Sequence, residues 1–387
     1  MKIMQLATVD MSHELLLGSL IDEMVRRGHE VVAVSAPGPY VRRIEQRGAR
    51  HRALASSTRR FDLLADLRSA REFWKVLREE RPDVLHTHTP KASFYGRVLG
   101  RLAGVPAVVN TVHGLYATET DSFWKRALVY AVEGVGGHCS HAELVHNPED
   151  AATMRRFHLA PVARVHTLGS GVDLAPFDMV DRSEARRALR DLWGVSDDEV
   201  LIGTVGRLVR EKGIPELVEA TRGMQGARLV VVGGADPEKT DGLTDSFVAS
   251  ACSDGVIFTG FRSDLAQIYS ALDVFVLASH REGFPRVAME AAAAGLPIVA
   301  TDIRGCRQVV VEGVNGTLVP VGSVEALHAA ILALVRDPSR RADWGRASFR
   351  RAREEFDERA VIERILHSYD EALQDSVSGS ITSRRAR

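Results

Sequence analysis

Glu282 and Glu290 stand eight positions apart in the segment REGFPRVAME, one carboxylate ahead of a helix start and the other about a turn and a half inside it. A carboxylate accepts hydrogen bonds and donates none, so such a pair can read the hydroxyls of a sugar and of a ribose. The plain alternative is a surface glutamate followed by one on a helix face. What favours chemistry is the setting. LDVFVLASHREGFPRVAMEAAAAGLPIVAT reads as a strand ending near Ser279, a turn holding Gly283 and Phe284, and a helix begun at Pro285 and Arg286. Proline is tolerated in a first helical turn, where its missing N–H would have had no partner. The helix start offers free N–H groups and a positive dipole end, which suits a phosphate.

A second constellation, GTVGRLVREKG from Gly203 to Gly213, follows another β-rich run. Its Gly206, Arg207 and Lys212 fall on the loop leaving the carboxyl end of a strand, where open α/β sheets bind ligands. Arg207 offers a planar fork and Lys212 a mobile point charge, and together they can stabilise charge growing on a departing diphosphate. A solvated basic loop is the alternative. The chain has no Asp-x-Asp, the carboxylate pattern by which a divalent cation is bridged to a diphosphate, so the reading expects no metal and no cofactor. His86-x-His88 and the string His138, Cys139, His141, His146 lack a complete set of four zinc ligands at a recognisable spacing.

In GVPAVVNTVHGLYA, His113 comes just after an apolar strand and before Gly114. It could meet a transferring sugar, or it could pack into a core. His13, on the first strand-to-helix loop, is a weaker acceptor-side candidate of the same kind. No Walker loop, no Gly-x-Ser-x-Gly elbow and no complete Gly-x-Gly-x-x-Gly after the first strand supports a kinase, hydrolase or dehydrogenase.

The elements that must position these residues alternate in a βα rhythm. KIMQLATV, EVVAVSA, PDVLHTH, AVVNTV and HAELVHN are separated by amphipathic stretches, which indicates parallel βαβ units. The rhythm restarts with EVLIGTVGRL, ARLVVVGG, GVIFTGF, LDVFVLAS and LPIVAT. The expectation is therefore two doubly wound domains, 1–172 and 197–358, joined by a polar linker at 173–196 and facing a cleft. Val361, Ile362, Ile365, Leu366, Tyr369 and Leu373 form one helical stripe, so a docked helix is expected at about 359–375. The remainder, 376–387, lacks an apolar pattern and is expected to be a disordered basic tail.

Bulk properties exclude several function classes. Lys and Arg total 50 against 51 Asp and Glu, so no global field favours nucleic acid. Three scattered cysteines, Cys139, Cys252 and Cys306, give no disulfide framework. The first residues lack a cleavage pattern and no apolar run is long enough to span a bilayer, so a cytoplasmic protein is expected. Between Val41 and Arg81 twelve basic residues meet six acidic ones, with Phe61, Leu64, Phe73 and Trp74 interleaved. That stretch could touch anionic lipid at the inner membrane face, or be ordinary helices with solvated charges.

Together the segments NTVHG, GSGVDLAPF, GRLVREKG and EGFPRVAME, within a match from Lys2 to about Leu373, resemble glycosyltransferase family 4, retaining transferases of the GT-B fold. The resemblance implies that Glu282 binds donor-sugar hydroxyls and Glu290 the ribose, that Arg207 and Lys212 bind the diphosphate, and that His113 contacts the transferring sugar. It further implies that backbone around Gly233, Gly260 and Arg262 holds the base, and that the last helix returns to the first domain. HTHTPKASFYGR and REGFPRVAMEA look more like members that extend lipid-linked or capsule-type glycans. The first loop, ATVDMSHELLLG, lacks the Gly-Gly pair of many members, so acceptor contacts there do not carry over. The expectation is metal-independent, retaining transfer of a hexose from a nucleotide diphosphate, with uridine preferred, to a glycan or polyprenyl-linked acceptor. A nucleotide-sugar 2-epimerase and a non-catalytic sugar-nucleotide-binding partner are the alternatives.

Overall fold

A computed structural model describes residues 1–60, 62–117, 121–236 and 240–385, with side chains to Ser376. The chain divides into two compact units, Met1–Gly169 with Ala360–Arg387, and Ser170–Arg359.

The first unit holds β1 (Lys2–Val9), β2 (Glu30–Ala36), β3 (Arg50–Ala53), β4 (Val84–Thr87), β5 (Ala107–Val112), β6 (Ala142–Val145) and β7 (Val165–Thr167). The second holds β8 (Val200–Val205), β9 (Ala227–Val232), β10 (Ile257–Phe258), β11 (Val274–Leu277), β12 (Ile298–Thr301) and β13 (Gly316–Val319). Their orders are β3-β2-β1-β4-β5-β6-β7 and β10-β9-β8-β11-β12-β13, and every pairing is parallel. Helices cover both faces of a parallel sheet, so its strands read as unbroken aliphatic runs rather than alternating ones. Val274, Phe275, Val276 and Leu277 are accordingly all buried. Each strand order reverses once, beside β1 and beside β8. Ligands of open α/β sheets bind at the carboxyl ends of strands flanking such a reversal.

The final helix, Glu358–Arg385, sets Val361, Ile362, Ile365, Leu366, Tyr369 and Ala372 into the core of the first unit beside Ile3, Ile21 and Val109. The return implied by the family resemblance is present. The same helix runs on to Arg385, where a disordered tail from 376 was expected. Once six buried side chains fix its first turns, each added residue gains a hydrogen bond without a new nucleus, so an apolar pattern is not required for continuation. Ala386 and Arg387 lie outside the described residues.

The stretch 173–196 is not a bare linker. It folds into helices Ala175–Met179 and Arg182–Trp193, both within the second unit. Charge density hid two core residues, Phe177 and Leu189, and a buried cation. Arg190 is 1% exposed and donates to Asp273 Oδ2 at 3.1 Å and to the carbonyl of Glu199 at 2.6 Å. An arginine that neutralises a half-buried aspartate and caps carbonyls is a structural staple, although composition alone reads it as solvated.

The basic stretch 41–81 also separates into parts. Arg47 pairs with Glu14 at 2.9 Å, and Arg50 and Arg52 each reach Glu80 at 2.7 Å, so these cations stitch the β3 edge. Phe73 is buried, and Phe61 lies outside the described residues. Arg68, Arg71, Lys75 and Arg78 remain exposed on the helix Leu63–Glu80.

Candidate active site

The second unit gathers its candidate residues at the carboxyl ends of β8, β9 and β11, beside the reversal of strand order. From β8 the chain enters Gly206 and Arg207, closes a short 3-10 turn at Arg210–Lys212, and bends through Gly213 into the helix Ile214–Thr221. Gly213 has φ +65°, and a Cβ there would fall 2.0 Å from the carbonyl oxygen of Ala278, at the end of β11. Only glycine lets the two loops lie this close.

That approach brings Lys212 Nζ to 2.6 Å from Glu282 Oε1. Ser279 Oγ donates to the same oxygen at 2.7 Å. His280 fixes the relation from the other side, its backbone N–H donating to the carbonyl of Glu211 at 2.9 Å and its Nε2 meeting Glu216 at 2.7 Å. The backbone of Glu282 and Gly283 is seated against Gly305, where a Cβ would sit 2.6 Å from the carbonyl oxygen of Glu282. Burial first, and the Glu282 charge second, push the neighbouring Cys306 thiol up to about 12, so it stays protonated and inert.

The helix expected after the turn spans Arg286–Ala293, with Pro285 at its cap rather than inside its first turn and Phe284 packed against the core. No side chain caps this start. Glu290 faces inward and is 8% exposed. Arg286 Nε donates to its Oε1 at 3.1 Å and the Tyr269 hydroxyl to its Oε2 at 3.1 Å. Burial holds the Glu290 carboxyl above its ordinary range, with the Arg286 charge opposing. The same burial, with the Glu290 charge beside it, holds the Tyr269 hydroxyl protonated as a donor.

Gly233 ends β9, and a Cβ there would meet the Gly206 oxygen at 1.8 Å. Its N–H donates to the Gly260 carbonyl at 3.0 Å, so the loops after β8, β9 and β10 form one backbone platform. Arg262 lies beyond Gly260 and is clasped by Asp264 at 2.8 and 2.5 Å, which holds the guanidinium charged and the carboxyl below its usual range. Arg207, 44% exposed at its side chain, pairs with Asp236 at 2.6 Å.

The structure therefore brings together Gly206, Arg207, Lys212, Gly233, Gly260, Arg262, Glu282, Gly283, Phe284, Pro285, Arg286 and Glu290 on one end of one sheet. It adds what spacing concealed: each of the four cations already has a carboxylate. Asp236 and Tyr269 were missed because their partners are remote in sequence, and Asp264 and Ser279 because an aspartate two residues from an arginine, or a serine at a strand end, carries no signal of its own.

In the first unit His113 follows β5 and is gripped on both ring nitrogens. His88 Nδ1 lies 3.2 Å from its Nε2, and His146 Nε2 lies 3.1 Å from its Nδ1. His146 Nδ1 in turn bonds the carbonyl of Gly169 and must be the donor, so its Nε2 accepts from His113 Nδ1. His88 Nε2 bonds Gln5 Oε1 at 2.7 Å on its other side. His86, also beside β5, bonds Tyr369 at 2.6 Å and Thr111 at 2.7 Å. Burial lowers all four imidazoles, and neighbouring imidazoles lower His86, His88 and His113 further, so the row is neutral near pH 7. His138 and His141 lie apart from it, bonded to the Gly134 carbonyl and to Arg101.

His13 does not present itself to an acceptor. It is fully buried, with Nε2 3.1 Å from the Val34 carbonyl, and burial lowers it to about 4. The first loop is held by Asp10, which accepts from the N–H of Tyr40 at 2.7 Å; a Cβ at Gly38 would strike that carboxylate at 2.4 Å.

A model of glycosyl transferases group 1 matches residues 185–351, and a glycosyl transferase 4-like domain matches 16–171. A GDP-mannose-dependent alpha-mannosyltransferase of Mycobacterium tuberculosis is 31% identical over 85% of each chain. The chain belongs to glycosyltransferase family 4. Among other relatives of this transferase, the capsular polysaccharide biosynthesis glycosyltransferase CapM of Staphylococcus aureus is 26% identical over 97% of this chain and 98% of its own. The UDP-Gal:alpha-D-GlcNAc-diphosphoundecaprenol alpha-1,3-galactosyltransferase of Escherichia coli is 28% identical over 72% and 73%. The transferase has the GT-B fold. A sucrose-phosphate synthase from Thermosynechococcus elongatus superimposes with a TM-score of 0.83 over 97% of this chain and all of that one, at 23% identity. Anabaena HepE in complex with UDP-glucose superimposes with a TM-score of 0.81 over 96% and 100%, at 20% identity.

Proposed function

We propose that this glycosyltransferase moves a hexose from a nucleotide diphosphate, with retention and without a divalent metal, to a glycan or polyprenyl-diphosphate-linked acceptor. The observation that carries the reading is the Lys212–Glu282 contact beside an uncapped helix start. It sets a cation for a diphosphate next to a carboxylate for sugar hydroxyls.

In this reading the first turn of the helix Arg286–Ala293 and the cations Arg207 and Lys212 take the diphosphate. Glu282 Oε2, opposite the oxygen used by Lys212 and Ser279, accepts from the sugar. Glu290 accepts from the ribose, and the platform of Gly206, Gly233 and Gly260 lies under the base. Arg262, clasped by Asp264, borders it. Charge on the leaving diphosphate is met by Lys212, Arg207 and the helix dipole, so the chain itself supplies what a bridging cation would. Both ring nitrogens of His113 are engaged within the first unit, so its imidazole is held neutral and oriented rather than free to take a proton. No protein nucleophile takes part. Positioning brings the acceptor hydroxyl to the anomeric carbon on the face the diphosphate leaves, and a donor phosphate oxygen receives the proton.

The names of the relatives support an acceptor on a lipid diphosphate or a growing glycan, since the Escherichia coli relative acts on a diphosphoundecaprenol-linked sugar and the Staphylococcus aureus one serves capsule synthesis. The test is a panel of uridine, guanosine and adenosine diphosphate hexoses offered with and without a polyprenyl-diphosphate sugar. Acceptor-dependent release of nucleoside diphosphate supports transfer. An epimerised donor formed without acceptor indicates a 2-epimerase instead.

A further inference from the structure

Strands β1, β4, β5 and β6 change character along one face of their sheet. Side chains two positions apart share a face, so Ile3 runs on to Gln5, Val84 to His86 and His88, Val109 to Thr111 and His113, and Leu144 to His146. The apolar members pack in the core with Val361, Ile365 and Tyr369 of the returning helix. Those nearer the carboxyl ends are all polar. Gln5, His86, His88, Thr111 and Tyr369 are buried, and His113 and His146 are half-buried at the edge. Burying a polar group is unfavourable unless its donors and acceptors all find partners, and aliphatic side chains would fill this layer without that demand. The layer therefore calls for a reason other than stability.

Its members form an unbroken chain. From the Gly169 carbonyl it passes to His146, to His113 at 3.1 Å, to His88 at 3.2 Å and to Gln5 at 2.7 Å. Gln5 reaches the Tyr369 hydroxyl at 3.1 Å, which meets His86 at 2.6 Å, and His86 ends on Thr111 at 2.7 Å. The Gly169 end fixes His113 Nδ1 as a donor. What His113 Nε2 does is decided at the other end. Gln5 turns its carbonyl to His88 Nε2 and its NH2 to Tyr369. With that turn His88 donates from Nε2 and is bare at Nδ1, so His113 faces an acceptor on each side, and only a doubly protonated ring satisfies both. A half-turn of the amide exchanges its two arms. His88 then donates from Nδ1, His113 Nε2 accepts, the Tyr369 hydroxyl donates to the Gln5 carbonyl, and every ring is neutral. The two orders differ by one proton, and it sits on His113. The titratable groups facing His113 are His86, His88 and His146, with His13 beside His88. Arg364 of the returning helix lies next to Gly169, and Asp150 accepts from the Leu115 N–H at 3.0 Å.

We infer that Gln5 is a positioning residue for His113: acting through His88, the turn of its amide sets whether His113 stands neutral, with Nε2 accepting, or carries a proton. Burial and the neighbouring imidazoles disfavour the proton-carrying order, so the neutral one holds near pH 7.5. An amide suits this place because it is the one neutral side-chain group that offers a donor on one arm and an acceptor on the other, and so serves either order. The inference rests on the proposed function for its kinetic consequence alone, since the family resemblance assigns His113 to the transferring sugar.

The experiment is nitrogen NMR of the full chain labelled at its histidines, at pH 7.5, with His113 assigned by its loss in His113→Gln. Wild type is expected to show His113 protonated on Nδ1 and bare on Nε2. Gln5→Glu has the same shape, but its carboxylate cannot donate, so it holds His88 to donating from Nε2. Both nitrogens of His113 should then be protonated, although residue 5 does not touch that ring. In the same variant kcat for transfer should fall about tenfold with KM for the donor little changed, and should recover as pH is raised. A merely structural role for Gln5 would lower the melting temperature and leave His113 as it is. His146→Phe, at the half-buried end, serves where a buried carboxylate unfolds the chain: the hydrogen of His113 should move to Nε2 as the Gln5 carbonyl accepts from His88. The inference is overturned if wild-type His113 carries hydrogen on Nε2, if a folded Gln5→Glu keeps the wild-type His113 signals, or if the hydrogen stays on Nδ1 in His146→Phe. The spectra need no substrate, so they stand apart from the transferase reading, which fails only if wild type transfers no sugar.

Discussion

Lys212 and Glu282 meet at 2.6 Å, so the two charges that would grip a sugar diphosphate neutralise each other. Donor binding would draw the ammonium partly towards the diphosphate while Glu282 Oε2 accepts from the sugar hydroxyls. Glu282→Gln should therefore tighten nucleoside diphosphate binding about fivefold by freeing Lys212, while lowering kcat/KM for the sugar donor about 100-fold. Lys212→Met should weaken both. Calorimetric titration beside steady-state kinetics separates the two effects.

The Tyr269 hydroxyl bonds Glu290 within the protein interior. Tyr269→Phe removes one neutral donor, and KM for the donor should rise about three- to tenfold with kcat little changed. Glu290 titrates above the ordinary carboxylate range, and hydroxyl donors favour its ionised form. Donor affinity should accordingly fall as pH is lowered through that raised value. The fall should begin at higher pH in Tyr269→Phe, and a plot of KM against pH for the two proteins checks it.

Gly213 and Gly194 share a left-handed φ, +65° and +63°, in different surroundings. A Cβ at Gly194 meets nothing within 4 Å, whereas one at Gly213 collides with the Ala278 carbonyl. Gly194→Ala should cost about 1 kcal/mol. Gly213→Ala should cost roughly 3 kcal/mol or more, because backbone must also move, and it should lose donor binding by separating Lys212 from Glu282. Denaturant unfolding gives the first comparison and thermal shift with donor the second.

The buried imidazoles of the first unit set its acid limit. His13 is lowered to about 4 and His86 to about 3, so the folded state stays unprotonated where the unfolded chain, near 6.5, takes up protons. The unfolded state then binds more protons, and stability is lost as pH falls from about 6.5 towards these lowered values. Hydrogen exchange at pH 7.5 and pH 5 should show protection falling in β1, β4 and β5.

Much of this was legible because strand ends and glycine turns are local. EGFPRVAME and GRLVREKG announced their loops, and the parallel sheets follow from the βα rhythm. The partners were not legible. Nothing near Arg207 points to Asp236, and nothing near Glu290 points to Tyr269. Arg190 looked solvated because buried and exposed arginines are the same letter, and His13 looked like a loop ligand because its burial under β2 is a tertiary fact.

The central claim is that Lys212 and Glu282 transfer a sugar from a nucleotide donor with no divalent metal and with retention. It is tested most directly by transfer from an α-linked nucleotide hexose to a polyprenyl-diphosphate sugar in excess EDTA, with the product anomer read by NMR. The account predicts an α-linked product from wild type in EDTA, and almost none from Glu282→Ala or Lys212→Ala with the fold intact. A β-linked product, a requirement for added metal, or near-wild-type turnover in either variant would contradict it.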